Sequence, residues 1–312
     1  MCMTVFANAS KSRIISQLAI YVHDADGPQR PVYACITLPQ NHRARPLTPP
    51  YATLLSTAHA LADVAGAAIR PHFRKVLKID DKGGAAGFDP VTKADRAAER
   101  AIIRHLAKTF PEHGIVGEEF GTKLPDARYR WVIDPIDGTR AFIMGLPTWG
   151  TLIGLLDGGK PVLGLMDQPF TGERFWTSAS ASQMRTPDGT TRRLRTRRCG
   201  KLADAIFSTT HPDLFQPGPE ARVHGALKAG ARMTRYGGDC YAYAMLAAGH
   251  IDVIVESGLS AYDIVAMIPI IERAGGSVTN WLGGSAAGGG QILAAGDSGL
   301  HAQLVRLIAE TG

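Results

Sequence analysis

Acidic residues at one bend of the chain have the types and spacing of a metal site. Asp134 and Asp137 lie in the segment 134–139, directly after an apolar run. A proline that cannot continue a central strand and a glycine that permits a tight turn make the chain bend there. Both carboxylates can then face one point, with the Ile136 carbonyl between them. Oxygen atoms of this kind are the ligands that Mg²⁺ takes in proteins.

Further carboxylates stand at the ends of other predicted elements. Glu118 follows a short predicted strand, and Asp95 and Asp263 each lie at the start of a predicted helix. Each has a simpler explanation, because aspartate is common at helix caps and a surface glutamate is often only solvated. Taken together, several acids at junctions between strands and loops favour a metal site with oxygen ligands.

The elements that must position these acids follow from periodicity. Apolar spacing predicts a helix over 51–73, and Thr92 with Asp95 resembles a capping box that opens a second helix. Two short strands at 114–117 and 129–133 follow, and then a hairpin over 151–166.

The second half alternates between strands and helices. Strands are predicted at 205–208, 251–255, 276–279 and 291–294, and helices at 241–248, 264–274 and 300–308. We therefore predict an α+β first half and an α/β second half. The predicted parts are a patternless segment at 1–48, a metal-binding α+β domain at 49–200, and an α/β domain at 201–312 that completes the site. For 1–48 we expect a disordered tail or a start site assigned too far upstream.

Composition limits the class of protein. The 312 residues are 45% hydrophobic and 20% charged, which is ordinary for a soluble globular protein. We find no apolar run of about 18 residues and no secretory signal pattern, so we expect a cytoplasmic protein without a membrane partner. The four cysteines have no close spacing, which fits a reduced compartment better than a disulfide framework or a zinc site.

A basic cluster, Arg192–Lys201, is the other charged feature of a chain whose net charge is +6. It has two interpretations: a contact with nucleic acid, or a solvated loop. No aromatic residue interleaves with the cluster, so a base-stacking surface is unsupported. We expect no nucleic-acid partner.

Several of these segments together resemble the inositol monophosphatase family over about residues 51–310. The run 131–139 resembles the first signature of that family, and the matching elements elsewhere are 91–95, Gly117-Glu118, and 262–266 followed by 272–276. Tyr262 stands where the family usually has Trp. The resemblance implies a layered αβαβα sandwich, two or three Mg²⁺ ions, hydrolysis of a phosphate monoester and a homodimer.

The resemblance also implies the metal ligands. Glu118, Asp134 and the Ile136 carbonyl would hold the first ion. Asp134, Asp137 and Asp263 would hold the second. Two such ions neutralise a phosphate, lower the pKa of a bound water and stabilise the leaving oxygen.

The remaining catalytic roles follow by the same resemblance. Thr139, paired with Asp95, would orient and activate the attacking water, so these two residues and Glu118 form the predicted catalytic group. The backbone N–H groups of Gly138 and Thr139 would bind the phosphate.

Three segments resemble the histidinol-phosphatase branch more than the inositol enzymes. They are 140–150, 167–174 and 235–241. Histidinol phosphate is cationic away from its phosphate, so a carboxylate at Asp239, with Glu256 nearby by resemblance, would suit that end. The alternative for Asp239 is a helix N-cap. Arg235 would contact the phosphate, or else pair with a nearby acid.

Other functions stay open at this level. The same fold would serve an inositol-1-phosphate, fructose-1,6-bisphosphate or 3′-phosphoadenosine phosphatase. A catalytically idle scaffold or a nucleic-acid-binding protein is the rival from another class, and the full set of proposed ligands argues against an idle scaffold.

Overall fold

The computed structural model describes residues 18–20, 32–34, 49–76, 79–81 and 90–312. The chain forms two compact units, Met1–Pro49 and Pro50–Gly312. In the first unit, the backbone of β1 (Leu18–Ile20) pairs antiparallel with that of β2 (Val32–Ala34). The expectation of a disordered tail over 1–48 otherwise lies outside the described residues. The second unit holds every residue of the predicted site.

The helices of the second unit are bounded as follows. They are α1 (Tyr51–Ile69), α2 (Lys93–Thr109), α3 (Thr139–Met144), α4 (Pro219–Gly230), α5 (Asp239–Ala247), α6 (Ala261–Ile264), α7 (Met267–Ala274) and α8 (Ser298–Thr311). The strands are β3 (Asp80–Asp81), β4 (Pro90–Val91), β5 (Gly114–Gly117), β6 (Gly121–Lys123), β7 (Tyr129–Asp137), β8 (Gly150–Asp157), β9 (Lys160–Gln168), β10 (Glu173–Thr177), β11 (Ser182–Arg185), β12 (Thr191–Arg193), β13 (Ile206–Thr209), β14 (Met233–Tyr236), β15 (Val253–Leu259), β16 (Ser277–Asn280) and β17 (Gly290–Ala295).

Two large sheets organise these elements. The first has eight strands in the order β12-β11-β10-β9-β8-β7-β5-β6 and is antiparallel except where β5 runs parallel to β7. The second has five strands in the order β14-β13-β15-β17-β16, with β13 parallel to both of its neighbours. The predicted hairpin is the β8–β9 pair. The two sheets fall on either side of residue 200, within one compact unit.

Helices cover both faces of each sheet and also fill the space between the sheets. α1 and α2 share a core with one face of the eight-stranded sheet, through residues such as Leu61, Ile102 and Trp131. α5 and α7 pack between the sheets, where Met166 of the first sheet and Ile254 of the second belong to one buried cluster. α4 and α8 cover the outer face of the five-stranded sheet. The predicted αβαβα layering is therefore confirmed.

α1 is apolar enough, by length and composition, to cross a membrane, with a mean hydropathy of 1.3. In this fold it is a core helix instead. Leu61, Ala62, Ala65 and Ile69 are fully buried against α2 and the first sheet. The helix also ends at Ile69, before the predicted end at residue 73, because the chain enters a turn there.

Periodicity missed or merged several elements. The predicted helix over 264–274 is two helices, α6 and α7. α4 was not predicted because its buried face is narrow: only Val223 and Leu227 are buried in it. The short edge strands β12 and β14 were also missed, since exposed edge strands lack the apolar alternation that marks a half-buried strand.

The basic cluster, predicted as a nucleic-acid contact or a solvated loop, is anchored at one position. Arg192 and Arg193 lie on β12 with exposed side chains, as a solvated segment would. Arg197, however, donates through Nε to Asp252 Oδ1 at 2.9 Å and through Nη2 to Oδ2. Asp252 is 1% exposed and also accepts from the Ile206 N–H at 2.7 Å. The carboxylate therefore ties the cluster to the start of β13.

This anchor predicts a loss of stability when the carboxylate is removed. Asp252→Ala leaves the Ile206 N–H and the Arg197 guanidinium without their acceptor, so we expect a loss of about 2–3 kcal/mol in the free energy of unfolding. Urea denaturation measures it. Asp204→Ala is the control, because the exposed Asp204 only approaches Lys201 at 3.9 Å and should change stability by less than about 0.5 kcal/mol. Equal effects of the two substitutions would contradict the anchoring role.

Candidate metal centre

The bend at the end of β7 points two carboxylates to one side, as predicted. Pairing with β8 shifts register between Asp134 and Asp137, where the proline interrupts the ladder. Asp134 Oδ1 accepts from the Ile136 N–H at 3.0 Å, and the Thr151 hydroxyl donates to the Pro135 carbonyl at 2.8 Å. These local bonds stabilise the bent backbone and keep Asp134 buried below the surface of the site.

Asp263 completes a group of three carboxylates. Oxygen atoms of Asp134, Asp137 and Asp263 lie within 4.8 Å of one another. Asp263 reaches this point from the first turn of α6, where its Oδ2 accepts from the Ser260 N–H at 2.6 Å. The simpler explanation of Asp263 as a helix-capping residue is therefore also correct. One residue both starts the helix and brings a carboxylate to the group.

Glu118 approaches the same group from the end of β5. Its carboxyl lies close enough to Asp134 to raise the pKa of that residue. Glu99 of α2 supports the backbone that carries it: its Oε2 accepts from the Glu119 N–H at 2.8 Å and its Oε1 from the Phe120 N–H at 3.1 Å. A Cβ on Gly117 would lie 1.9 Å from Glu99 Oε1, so only glycine fits there. The Gly-Glu-Glu sequence thus depends on a buried glutamate of another element.

The predicted pair of Asp95 and Thr139 is not formed, and this corrects the expectation. Asp95 Oδ2 instead accepts from the Thr92 N–H at 2.9 Å and from the Thr92 hydroxyl at 2.6 Å. The Thr139 hydroxyl donates to the Ile136 carbonyl at 3.1 Å. The capping box at the start of α2 turns the Asp95 side chain back toward its own N-cap. Asp95 still lies near enough to Glu118 for the two charges to interact.

Burial and mutual repulsion raise the pKa values of Asp134, Asp137 and Asp263. Burial is the largest cause for Asp134 and Asp137, whose pKa values lie well above the usual range, and neighbouring carboxylates raise them further. Burial also raises the pKa of Asp263 to about 7 and that of Asp95 to about 6. The pKa values of Asp239 and Glu256 are also raised, again mainly through burial. The group therefore favours either protons or cations.

A divalent cation fits this donor set. The side-chain ligand atoms are all carboxylate oxygens, and the Ile136 carbonyl lies between Asp134 and Asp137 in the chain. Oxygen atoms of these kinds are the ligands of a hard cation such as Mg²⁺. The charges that act most strongly on Asp134 and Asp137 are other carboxylates. Glu118, Asp134, Asp137, Asp263 and the Ile136 carbonyl are therefore the residues that would hold metal.

The carboxylate group opens into a cavity of about 180 Å³. Asp137, Asp239, Glu256 and Asp263 are among the residues that line it. Glu256 is 4% exposed; its Oε1 accepts from the Thr210 N–H at 2.7 Å and its Oε2 from the Tyr243 hydroxyl at 2.9 Å. The cavity therefore has two acidic groups in addition to the predicted metal ligands Asp137 and Asp263.

Asp239 enters this cavity at the first residue of α5. Its φ of +43° is unusual for a residue other than glycine. The predicted alternative, that Asp239 is an N-cap, is wrong: the cap position is Gly238, without a side-chain cap bond. Asp239 Oδ2 instead accepts from the Thr148 hydroxyl at 3.3 Å.

Two close contacts join the start of α5 to the bend after β7. The N–H of Cys240 donates to Asp137 Oδ2 at 2.7 Å. A Cβ on Gly138 would lie 2.9 Å from the Cβ of Asp239, and Gly138 also has a φ of +82°. Gly138 is thus required both for its backbone conformation and for the approach of Asp239. It forms the N-cap of α3, which begins at Thr139, where the predicted phosphate-binding N–H groups lie.

The structure places Arg235 apart from the acidic group. Arg235 is exposed on the edge strand β14 and lines a neighbouring cavity of about 360 Å³ together with Thr148 and Tyr236. It is not among the residues that line the acidic cavity. Its predicted contact with the phosphate therefore has no support in this arrangement.

Sequence reasoning missed three residues that hold the site together. Glu99 lies four residues after Asp95, and therefore on the same face of α2, which is the one signal that would have found it. Thr148 and Tyr243 bond to the predicted acids Asp239 and Glu256. They lie in separate elements, so no local spacing marks them.

The raised pKa values predict how pH and Mg²⁺ affect stability. The pKa of Asp263 is about 7 in the folded state against an ordinary 3.8, so its stabilising contribution is complete below pH 4 and lost as the pH rises to 7. We expect the melting temperature of the wild type in chelator to fall over this range relative to that of Asp263→Asn. Adding Mg²⁺ at pH 7.5 should then raise it by roughly 3 °C or more, because the ion binds the ionised carboxylates.

Asp263→Asn should show a smaller effect of both pH and Mg²⁺, as measured by thermal unfolding. Asp297→Asn is the matched control, because Asp297 caps α8 by accepting from the Gly299 and Leu300 N–H groups. It should keep the full response. A wild type that does not respond to Mg²⁺ would rule out the metal centre.

Comparison with known proteins agrees with this geometry. Residues 51–311 match the model of the inositol monophosphatase family. The chain is 42% identical over 259 residues to the bifunctional phosphatase IMPL2 of Arabidopsis thaliana, which covers 80% of this chain and 72% of that protein. It is 36% identical to a histidinol-phosphatase of Streptomyces coelicolor, covering 82% and 97%.

A solved structure gives the same result at the level of the fold. An inositol monophosphatase from Zymomonas mobilis is 41% identical, has a TM-score of 0.74, and covers 84% of this chain and 100% of its own. The family match spans nearly all of the second unit, which carries the carboxylate group. This chain therefore belongs to the inositol monophosphatase family of phosphoric monoester hydrolases.

Proposed function

We propose that this chain is a Mg²⁺-dependent phosphatase that hydrolyses L-histidinol phosphate to L-histidinol and phosphate. One observation carries the proposal. The cavity that contains Asp137 and Asp263 also contains two further carboxylates, Asp239 and Glu256. A phosphate ester with a cationic far end fits this arrangement, because its phosphate end can lie at the metal ligands while its ammonium end faces the other two acids.

The chain's own residues divide the work in this proposal. Bound Mg²⁺ ions would neutralise the phosphate and lower the pKa of a water. The negative charge that would bind those ions comes from four carboxylates, those of Glu118, Asp134, Asp137 and Asp263. Thr139 has its hydroxyl proton directed to the Ile136 carbonyl, so its oxygen lone pairs can accept a hydrogen bond from the attacking water. This gives Thr139 an orienting role that needs no direct bond to Asp95.

The proposal also gives Asp95 a catalytic role, and this role does not need a bond to Thr139. Its pKa of about 6 lies close to neutral pH, which suits a group that accepts and releases a proton. Its interaction with Glu118 connects it to the ligand group, while its bonds to Thr92 fix its orientation.

The relatives support histidinol phosphate without excluding the other esters. Proteins named histidinol-phosphatase from Streptomyces coelicolor, Mycobacterium tuberculosis and Chlorobaculum parvum are 36%, 33% and 32% identical to this chain. An inositol-1-monophosphatase of Mesorhizobium japonicum is 34% identical. Identity at this level does not separate the two substrates, so the extra carboxylates are what favour the cationic one.

A phosphate-release assay over a panel of monoesters tests the activity. We expect Mg²⁺-dependent turnover that is abolished by chelator, with histidinol phosphate hydrolysed faster than inositol-1-phosphate, fructose-1,6-bisphosphate or 3′-phosphoadenosine esters. Asp137→Asn should lose nearly all turnover while remaining folded by circular dichroism, and Asp297→Asn should keep it. Full activity in excess chelator, or a preference for inositol phosphate, would contradict the proposal.

Substitution of Asp239 tests the specificity. Asp239→Asn keeps the shape of the side chain but removes its charge. We expect the activation free energy for histidinol phosphate to rise by about 1.5–3 kcal/mol, and kcat/KM to fall by the corresponding factor. A neutral ester such as inositol phosphate lacks the ammonium and should be hydrolysed no worse. The ratio of the two kcat/KM values is therefore the quantity to measure.

A purely structural role of Asp239 predicts a different result. Both substrates would then lose the same factor, and the melting temperature would fall with them. Equal losses on the two substrates would end the role of Asp239 in recognising the cationic end, while leaving the phosphatase activity itself in place.

A further inference from the structure

The turn between β9 and β10 is connected to Asp239 by hydrogen bonds along two routes. We define the β9–β10 turn as residues 168–173. One route leads from it to Thr148, which donates to Asp239, and the other leads to Tyr241, two residues after Asp239 on α5. We propose that the β9–β10 turn positions the Asp239 carboxylate and thereby sets the preference for a cationic substrate. The inference rests on the proposed function, in which Asp239 recognises the ammonium end.

The first route starts at Gln168. Its side chain is fully buried and forms hydrogen bonds through both the nitrogen and the oxygen of its amide. Its Nε2 donates to the Trp149 carbonyl at 3.1 Å and to the Pro147 carbonyl at 3.3 Å. Its Oε1 accepts from the Phe170 N–H at 2.7 Å and from the Thr171 N–H at 2.9 Å. Gln168 therefore joins the turn to the backbone on both sides of residue 148.

Thr148 is held in place by that clamp. It lies in the short connection between α3 and β8, with the two carbonyls that accept from Gln168 on either side of it. Its hydroxyl donates to Asp239 Oδ2 at 3.3 Å. The bond is long, so a small shift of the connection would break it.

The second route passes through Glu173 at the other end of the turn. Glu173 Oε2 accepts from the Thr171 hydroxyl at 3.0 Å and from the Tyr241 hydroxyl at 2.8 Å. Tyr241 is half-buried on α5, and burial and the Glu173 carboxylate both raise its pKa, so the hydroxyl stays protonated and donates. The turn therefore also holds the first turn of α5, where Asp239 adopts its unusual positive φ.

The two routes start from opposite ends of the same hydrogen-bonded turn. Gln168 and Glu173 form a directly opposed pair at the end of the β9–β10 hairpin, and the Gly172 N–H donates to the Gln168 carbonyl at 2.9 Å. An unusual backbone conformation such as that of Asp239 persists only where its surroundings hold it. Support from Thr148 and from Tyr241 provides that restraint. None of the turn residues lines the acidic cavity, so they act as positioning residues.

Tyr241→Phe tests the second route with little risk to folding, because it removes one hydroxyl from a half-buried side chain. The quantity to measure is the ratio of kcat/KM for histidinol phosphate to kcat/KM for inositol phosphate, with Mg²⁺ present. We expect the ratio to fall roughly three- to tenfold. This is less than the full loss of a hydrogen bond to a charged group, because only part of that energy reaches the position of Asp239. The fall should come mainly through KM for histidinol phosphate, because positioning of Asp239 affects binding of the ammonium.

A double-mutant cycle separates positioning from general damage. In the Asp239→Asn background the carboxylate is gone, so Tyr241→Phe should change the ratio by less than about twofold. Equal falls in both backgrounds, or no fall in the wild-type background, would overturn the inference. Tyr51→Phe is the matched control: its half-buried hydroxyl bonds to Thr177 at 2.8 Å and to Arg273 at 2.7 Å, at the other side of the first sheet. It should leave the ratio unchanged.

Glu173 provides a second, independent variant. Glu173→Ala removes the acceptor for Tyr241 and should lower the ratio as Tyr241→Phe does. Glu173→Gln keeps an oxygen acceptor and should retain most of the preference, whereas a direct electrostatic effect of the Glu173 charge would be lost in both variants. The wild type is measured first: a wild type without preference for histidinol phosphate overturns the proposed function and this inference with it. A wild type with that preference and an unaffected Tyr241→Phe ratio overturns the inference alone.

Discussion

Repulsion among buried carboxylates is the constraint on which the rest of the site depends. Asp134, Asp137 and Asp263 have oxygen atoms within 4.8 Å of one another, and burial raises the pKa of each. Such a group is costly in a bare protein, because the ionised forms repel and the buried charges lose their hydration. The fold must therefore hold these side chains together against their own electrostatics, and a divalent cation relieves the same strain that the fold imposes.

Neighbouring elements provide the restraint through hydrogen bonds to backbone. Hydrogen bonds of Asp134 and Thr151 to the backbone stabilise the bend after β7. Asp263 stabilises the start of α6 in the same way, and Glu99 stabilises the turn after β5. The Cys240 N–H at the start of α5 donates to Asp137. Asp134 and Asp263 are thus fixed by bonds within a few residues of themselves, whereas Asp137 and Glu118 are held by elements packed against their own.

The Asp239 carboxylate depends on a less local arrangement. Asp239 has no capping bond of its own and depends on Thr148, on the glycine at 138 and on the helix that follows it. Asp239 is therefore more sensitive to the packing of α5 than Asp134 and Asp263 are, because those two accept hydrogen bonds from backbone only two or three residues away.

The sequence by itself determined the features whose signals are local. The bend at 134–139, the capping box at Thr92, the capping role of Asp263 and the hairpin of β8 and β9 all involve residues only a few positions apart, and the structure contains each of them. Only the tertiary structure decided which long-range partners those residues have. Asp95 bonds to Thr92 rather than to Thr139, Arg235 faces another cavity, and Asp239 meets Thr148, which is 91 residues away in the chain. Turn, cap and strand propensities act over a few residues, whereas contacts between distant segments follow from how whole sheets and helices pack.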